Sequence, residues 1–435
     1  MSDWPSVRLA DVSDIRFSNV DKKSEPGELP ARLCNYMDVY ANDYVTSGIQ
    51  FMDATVSPAE LERFRVSRGD VLITKDSETP DDIGIASAVV DEIPGLVCGY
   101  HLALIKPDRR MIDSIYLAKQ LSTPGAASYF GRAANGSTRY GLSGSSIANF
   151  DLPLAPLRVQ RRIAEILSTV DEAIEQTEAL IAKYQQVKAG LMDDLFTRGV
   201  LPDGSLRPSR DKAPDLYKET PLGWLPKEWE VGALRNCLVS SPTNGIYKPA
   251  GQIGSGVLLI GQTAISDERL VNPDLGRRAQ VSREELNRFG LEAGDILVAR
   301  VFATVDGVGQ PAYVGPLNEP AVYESNMMRL RCDRRVIMPE LLFEWLRAAF
   351  VRRRISAMVN ASNQTSINQP VLNSIPVPLP RQEEQEVILA VCEETNRLKE
   401  NEQDALSKLS AQKHGLMHDL LTGRVRVPTE EAVPV

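Results

Sequence analysis

The sequence predicts a tandem α+β protein with two long helices that pack against each other. Three observations carry that fold class. Residues 160–198 read as one long amphipathic helix, residues 385–423 repeat its plan without a gap, and landmarks outside the helices return at the same offset, 385 − 160 = 225. Several independent anchors at one offset mark a tandem duplication.

The bounds come from length and composition. With 435 residues, 43% hydrophobic and 25% charged, the chain is globular material for two or three domains. Its longest apolar runs, such as Gly256-Val257-Leu258-Leu259-Ile260, fall far short of a membrane span, and the Met1-Ser2-Asp3-Trp4-Pro5 start does not read as a signal peptide. A cytoplasmic protein without a membrane partner is expected. The five cysteines are scattered and never in a CxxC spacing, so they read as reduced and structural. A net charge of −9 excludes a protein coated with basic surface, so any nucleic-acid contact is a local patch.

Each unit opens on a Trp and a short apolar pattern, Trp4 matching Trp229 and Leu9 matching Leu234. Gly69-Asp70 and Gly294-Asp295 each introduce a short apolar run, Val71-Leu72-Ile73 and Ile296-Leu297-Val298, read as buried strands after a turn. Asp108-Arg109-Arg110 matches Asp333-Arg334-Arg335. Residues 113–121 open with capping residues and read as helix; the counterpart has Pro339 at a first helical position. Residues 136–143 fall on 361–368, and Pro153 on Pro378, just ahead of each long helix. Between these anchors the copies differ: residues 10–60 and 235–285 share almost nothing. Residues 199–228 are rich in Pro, Gly and charge without a period, and read as a linker. The division expected is 1–153 and 229–378 as mixed heads, 154–200 and 379–424 as long helices, 201–228 as linker and 425–435 as tail.

In the first long helix Ile163, Leu167, Val170, Ile174, Thr177, Ile181, Tyr184, Lys188, Leu191 and Leu195 alternate steps of four and three. That spacing is a heptad seam, which keeps one stripe facing another helix. At 1.5 Å per residue, about forty residues make a rod of about 60 Å. The second seam uses Ile388, Leu406, Leu409, Leu416 and Leu420 but is less regular, since Lys399 and Glu402 take seam positions; its stripe is expected to drift toward Val391, Leu398 and Ala405. Two diverged heads on a common frame then present different recognition surfaces.

These residues carry a resemblance. A Pro-rich run into Leu157-Arg158-Val159-Gln160 or Glu383-Glu384-Gln385, then Arg162-Ile163-Ala164-Glu165-Ile166-Leu167, and an ending of the form Lys-x-Gly-Leu-Met-x-Asp-Leu at Lys188 and Lys413, resemble the repeated helical regions of type I restriction-modification specificity subunits. The resemblance covers essentially the whole chain. It implies two target-recognition domains that each read one half of a split site in double-stranded DNA, and an antiparallel coiled coil that sets the gap. It also implies docking of two adenine methyltransferase subunits, and of restriction subunits through the complex. On that reading the chain is no enzyme, and S-adenosylmethionine, ATP and Mg belong to partner subunits. One departure is that Val159 precedes Gln160, where the second copy has the family's Glu, at Glu384.

The search for chemistry agrees with a non-enzyme. An amino-methyltransferase needs an Asp/Asn-Pro-Pro-Tyr/Phe motif to grip a flipped adenine, and the chain has no Pro-Pro pair. Asp306-Gly307-Val308-Gly309 and Gly254-Ser255-Gly256 lack the strand–GxGxxG–helix frame of a cofactor loop and read as loop punctuation; no GxxxxGK[ST] phosphate loop is present. His414 and His418 lie four apart on a helix, a zinc-compatible spacing, but without the Glu of HExxH or a third ligand.

DNA contacts are expected in loops. Lys75 and Arg300 follow the Gly-Asp strands, where the chain leaves a rigid edge; Arg139 and Tyr140, with Gln364 and Thr365, lie in polar loops before the helix. Arg pairs with a guanine edge and Gln with adenine, while Ser137, Thr138, Ser362 and Asn363 suit phosphates. The alternative is that these loops only connect head to helix. Arg352-Arg353-Arg354 fits a phosphate backbone or a solvated helix face equally, and Arg109-Arg110 and Arg334-Arg335 fit structural turns. Two other function classes stay open: a coiled-coil scaffold with two protein-binding heads, and a self-contained DNA modification enzyme.

Overall fold

The computed structural model describes residues 4–265, 270–360 and 366–428. The chain divides into two compact units, Met1–Glu178 with Asp404–Val435, and Ala179–Gln403. Each unit takes an α+β head and part of both long helices. Among the described residues, no helix is long and apolar enough to cross a membrane.

In the first unit the strand Val71–Thr74 is buried along its whole length. A strand with both faces covered has no polar side to alternate. Val71 and Ile73 join the core that holds Ala103, Ile105, Tyr116 and Phe130, whereas Leu72 joins a second core with Leu33, Val97 and Leu104. The strand sits in a five-stranded sheet ordered Ser13–Phe17, Leu102–Pro107, Val71–Thr74, Ala86–Val89, Tyr44–Val45. Only the last pair is parallel. A smaller sheet, Met52–Val56, Leu29–Cys34 and Leu96–Cys98, forms the second core with its last pair parallel. The turn into the buried strand needs Gly69, at φ +85. Asp70 closes it by accepting the Ser67 N–H at 2.9 Å and pairing with Lys106 at 2.7 Å.

The second unit repeats this plan 225 residues on. Ile296–Ala299 is buried throughout, Ile296 and Val298 in one core and Leu297 in another. Asp295 accepts the Glu292 N–H at 2.8 Å and pairs with Arg331 at 2.8 Å. The helices follow suit. Asp113 caps Ser114–Leu121 by accepting from the Ile115 and Tyr116 N–H groups, and Pro339 opens Pro339–Arg347. Inside the diverged stretch one element is kept with its residues: Ser57 and Glu60 form a capping box before Phe64, and Ser282 and Glu285 form the same box before Phe289. One local difference is a bulge in Ile253–Ile260, where the pairing register slips between Ile253 and Val257. Gly254 and Gly256 mark that slip; a side chain at Gly256 would meet the Ala279 carbonyl.

The segment expected to be a plain linker is folded. Tyr217–Thr220 pairs with Gly223–Pro226 as a hairpin, and Arg207 bonds Glu384 and Glu228. Glu384 also accepts from the Trp229 indole at 2.9 Å and the Val200 N–H at 2.9 Å. The Glu that the first copy lacks is therefore the clamp on this segment.

The long helices run Leu157–Thr197 and Gln382–Leu421. In the first unit Ile163 and Leu167 share a core with Leu420 and Leu421, with Leu416 against it. In the second, Met192, Leu195 and Phe196 share a core with Ile388 and Cys392, and Leu191 packs on it. The start of each helix thus meets the end of the other, which is antiparallel packing. Val170, Ile174, Ile181, Leu406 and Leu409 are half-buried along the stripe. The second seam does not drift to Leu398, which is 37% exposed. Asn396 is buried instead, and Lys399 and Glu402 are half-buried, so the seam stays in register with the first copy through polar positions. All five cysteines are buried thiols.

Candidate nucleic-acid interface

The candidate loops leave each head at one shared frame. In the first unit the Lys75 N–H donates to the His101 carbonyl at 3.0 Å, and the Leu142 N–H donates to the Lys75 carbonyl at 2.7 Å. In the second, the Arg300 N–H donates to the Asn326 carbonyl at 2.7 Å and the Ile367 N–H to the Arg300 carbonyl at 2.9 Å. Backbone bonds at equal offsets fix where each loop starts. The side chains beyond them are free to differ.

In the first unit, Tyr140–Gly141 pairs antiparallel with Asp76–Ser77, and Asn135 exchanges backbone bonds with Gly141. This closes residues 135–141 into a tight loop. Gly136, at φ +146, has no room for a side chain because the Arg139 carbonyl lies where Cβ would be. Ser137, Thr138 and Arg139 stand exposed at the tip and Tyr140 is half-buried. Arg139 is held. Its Nη2 donates to Asp76 Oδ1 at 2.9 Å and lies 2.9 Å from His101 Nδ1. His101 Nδ1 in turn lies 2.7 and 2.9 Å from the two Asp76 oxygens, and its ring packs on Tyr100 with centroids 3.6 Å apart. Lys75 takes a different role from its neighbour: its ammonium donates to the Ser18 carbonyl at 2.8 Å and sits 5.3 Å from the Phe17 ring centroid. Burial pushes its pKa down.

In the second unit two members of this constellation are replaced. Val301 stands at the Asp76 position and Asn326 at the His101 position (76 + 225 = 301; 101 + 225 = 326). Arg300 Nε donates to the Ser325 carbonyl at 3.3 Å. Ser362, Asn363, Gln364 and Thr365 lie outside the described residues. Arg352 turns inward, Nη2 donating to the Asp306 and Val308 carbonyls at 2.7 and 2.8 Å, so it is a loop staple and no part of a basic stripe. Arg110 and Arg335 fold back onto Asp108 and Asp333, which makes those pairs structural turns. His414 Nδ1 lies 2.7 Å from the Ser410 carbonyl and His418 Nε2 lies 2.7 Å from Arg424.

The sequence singles out Arg139 but not the two residues that hold it, Asp76 and His101. The available signal was divergence: the copies match through Lys75 and Arg300, then part at Asp76 and Val301.

Comparison with known proteins fits this frame. Residues 1–185 match the model of the type I restriction modification DNA specificity domain. A type I restriction enzyme specificity subunit of Methanocaldococcus jannaschii, MjaVIII, is 23% identical over 98% of this chain and 93% of its own length. A second from the same organism, the putative MjaX subunit, is 23% identical over 98% and 95%. Among solved structures, a type I restriction-modification S subunit from M. genitalium aligns over 97% of this chain and 96% of its own, at TM-score 0.58 and 14% identity. A structure from a study of type I complex assembly and conformational transition aligns over 97% and 98%, at TM-score 0.57 and 16% identity. Both share the fold. The second head, residues 229–378, lies beyond the matched residues and repeats the backbone anchors of the first at Arg300.

Proposed function

We propose that this chain is the DNA-reading specificity subunit of a type I restriction-modification complex, with each head reading one block of a bipartite duplex site. The observation that carries this reading is the pair of specificity-domain frames with equal backbone anchors and unequal side chains beyond them: Lys75-Asp76 with His101 in one, Arg300-Val301 with Asn326 in the other. A common frame keeps two loops in equivalent poses, while different tips select different bases. The paired helices set the unspecified gap between the two blocks. Two adenine methyltransferase subunits dock on the repeated units, one per copy, and restriction subunits join through them. The chain itself works by positioning, in the cytoplasm where the DNA is. S-adenosylmethionine, ATP and Mg serve the partner subunits, which flip and methylate the adenine.

The test is to co-express the chain with its methyltransferase subunit and map methylated adenines across the host genome. Two short blocks separated by a constant gap are expected. Methylation by the chain alone would instead mean a self-contained enzyme. An absence of salt-dependent, sequence-selective binding by the complex would mean a protein scaffold.

A further inference from the structure

We propose that Arg139, aimed by Asp76 and His101, reads a guanine in the block recognised by the first head; this rests on the DNA-reading function proposed above. The Asp76 side chain is 19% exposed and the Arg139 side chain 60%, so a sheltered carboxylate anchors a guanidinium that faces outward. Asp76 is itself fixed twice, by strand pairing with Gly141 and by the His101 ring, which Tyr100 backs. Facing the Asp76 carboxylate, His101 Nδ1 donates its proton there and accepts nothing from Arg139, so Nη2 spends one hydrogen on Asp76 and keeps the second, with an adjoining N–H, for a pair of acceptors. Guanine presents such a pair, O6 and N7, in the major groove.

A phosphate contact is the competing use of an exposed arginine, and the geometry disfavours it. A carboxylate 2.9 Å away offsets the charge that attracts phosphate, while it fixes the planar fork that an uncharged base edge requires. Holding the side chain beforehand also lowers the entropy lost on binding. Asp76 and His101 are thus positioning residues. Val301 and Asn326 stand in their places in the second head, so the carboxylate and the imidazole that aim Arg139 are not repeated there.

The experiment maps methylated sites for the co-expressed complex carrying wild-type chain, Arg139→Ala, Arg139→Lys, Asp76→Ala or Asp76→Asn, with the melting temperature of each complex measured alongside. The wild type should specify a guanine in one block. Arg139→Ala should relax that single position by roughly tenfold to a hundredfold, leaving the second block and the gap unchanged. Asp76→Ala and Asp76→Asn should relax the same position, and Arg139→Lys should fail to restore it because an ammonium lacks the fork. Uniform weakening at all positions, with a salt slope reduced by about one, would make Arg139 a phosphate contact and overturn the proposal. So would an unchanged motif, with or without a lower melting temperature, since that marks a structural staple. A wild-type complex with no bipartite motif would instead overturn the DNA-reading function on which the proposal rests.

Discussion

Gln160 and Gln385 make the same three hydrogen bonds, residue for residue, at the root of each long helix. Gln160 Oε1 accepts the Asp113 N–H at 2.8 Å, and its Nε2 donates to the Met111 and Ala155 carbonyls at 3.0 and 2.7 Å. Gln385 Oε1 accepts the Met338 N–H at 2.9 Å, and its Nε2 donates to the Val336 and Pro380 carbonyls, both at 3.0 Å. Both side chains are buried. Each amide locks its helix to the start of the helix that follows the sheet. Gln160→Ala leaves three backbone groups without their side-chain partner, the Ala155 bond being fully buried, and should cost on the order of 3 kcal/mol. Hydrogen exchange should show the Asp113 amide losing protection while the Met338 amide keeps it.

A buried ionic cluster fastens the first head to its helices. Lys119 lies 2.8 Å from Asp43 and 2.7 Å from Asp171, and Lys413 lies 2.7 Å from both carboxylates. In the second unit the matching positions are Glu344, Asn396 and Lys188 (119 + 225 = 344; 171 + 225 = 396; 413 − 225 = 188). There Lys188 donates to Asn396 at 2.5 Å and stands 3.5 Å from Glu344. The charges change places between the copies: Lys119 gives way to Glu344 and Asp171 to Asn396. Lys119→Glu alone places like charges beside Asp171 and should destabilise by on the order of 3 kcal/mol or more. Adding Asp171→Asn imports the second unit's pairing and should recover part of that loss, as a double-mutant cycle in denaturant will show.

The acid limb of stability follows from depressed carboxylates. Burial raises the Asp43 pKa, but Lys119 and Lys413 outweigh it and bring it to about 2. The Arg110 and Arg335 side chains hold exposed Asp108 and Asp333 at about 2 as well. A carboxylate depressed on folding contributes stability that is present above its ordinary value of 3.8 and disappears as pH falls toward 2. Unfolding titrations should therefore show stability falling across that window. Asp43→Asn should flatten the fall, and added salt should shrink the share from the two exposed residues.

Glu384 gathers the 199–228 segment by binding Arg207, the Trp229 indole and the Val200 amide. Arg207→Ala should loosen that segment without unfolding the head. Limited proteolysis checks it: new cleavage is expected between residues 201 and 228, with cleavage elsewhere unchanged.

Much of this was legible because the duplication samples the same frame twice. The buried strands, the Asp113 cap, the Pro339 start and the long helices all follow local rules that short patterns reveal. Two errors had physical causes. The seam was drawn toward Leu398 because an apolar residue outweighs Asn396 on a hydrophobic scale, yet Asn396 is buried by bonding Lys188 and Glu344. Pro and Gly content suggests a plain linker, but Arg207 ties the segment to Glu384 far along the chain and Tyr217 closes it onto the Pro208 carbonyl. Aiming of Arg139 was also invisible, since Asp76, His101 and Arg139 meet only after the sheet forms.

The most direct test of two interchangeable readers on one frame is to replace residues 4–153 by a second copy of 229–378, with Asp171→Asn to match the imported Glu344, and map methylation by the assembled complex. The block formerly read by the first head should be replaced by a second copy of the other block, at the same gap. Retention of the original first block, or collapse to a single continuous site, would contradict the assignment of one head to each block.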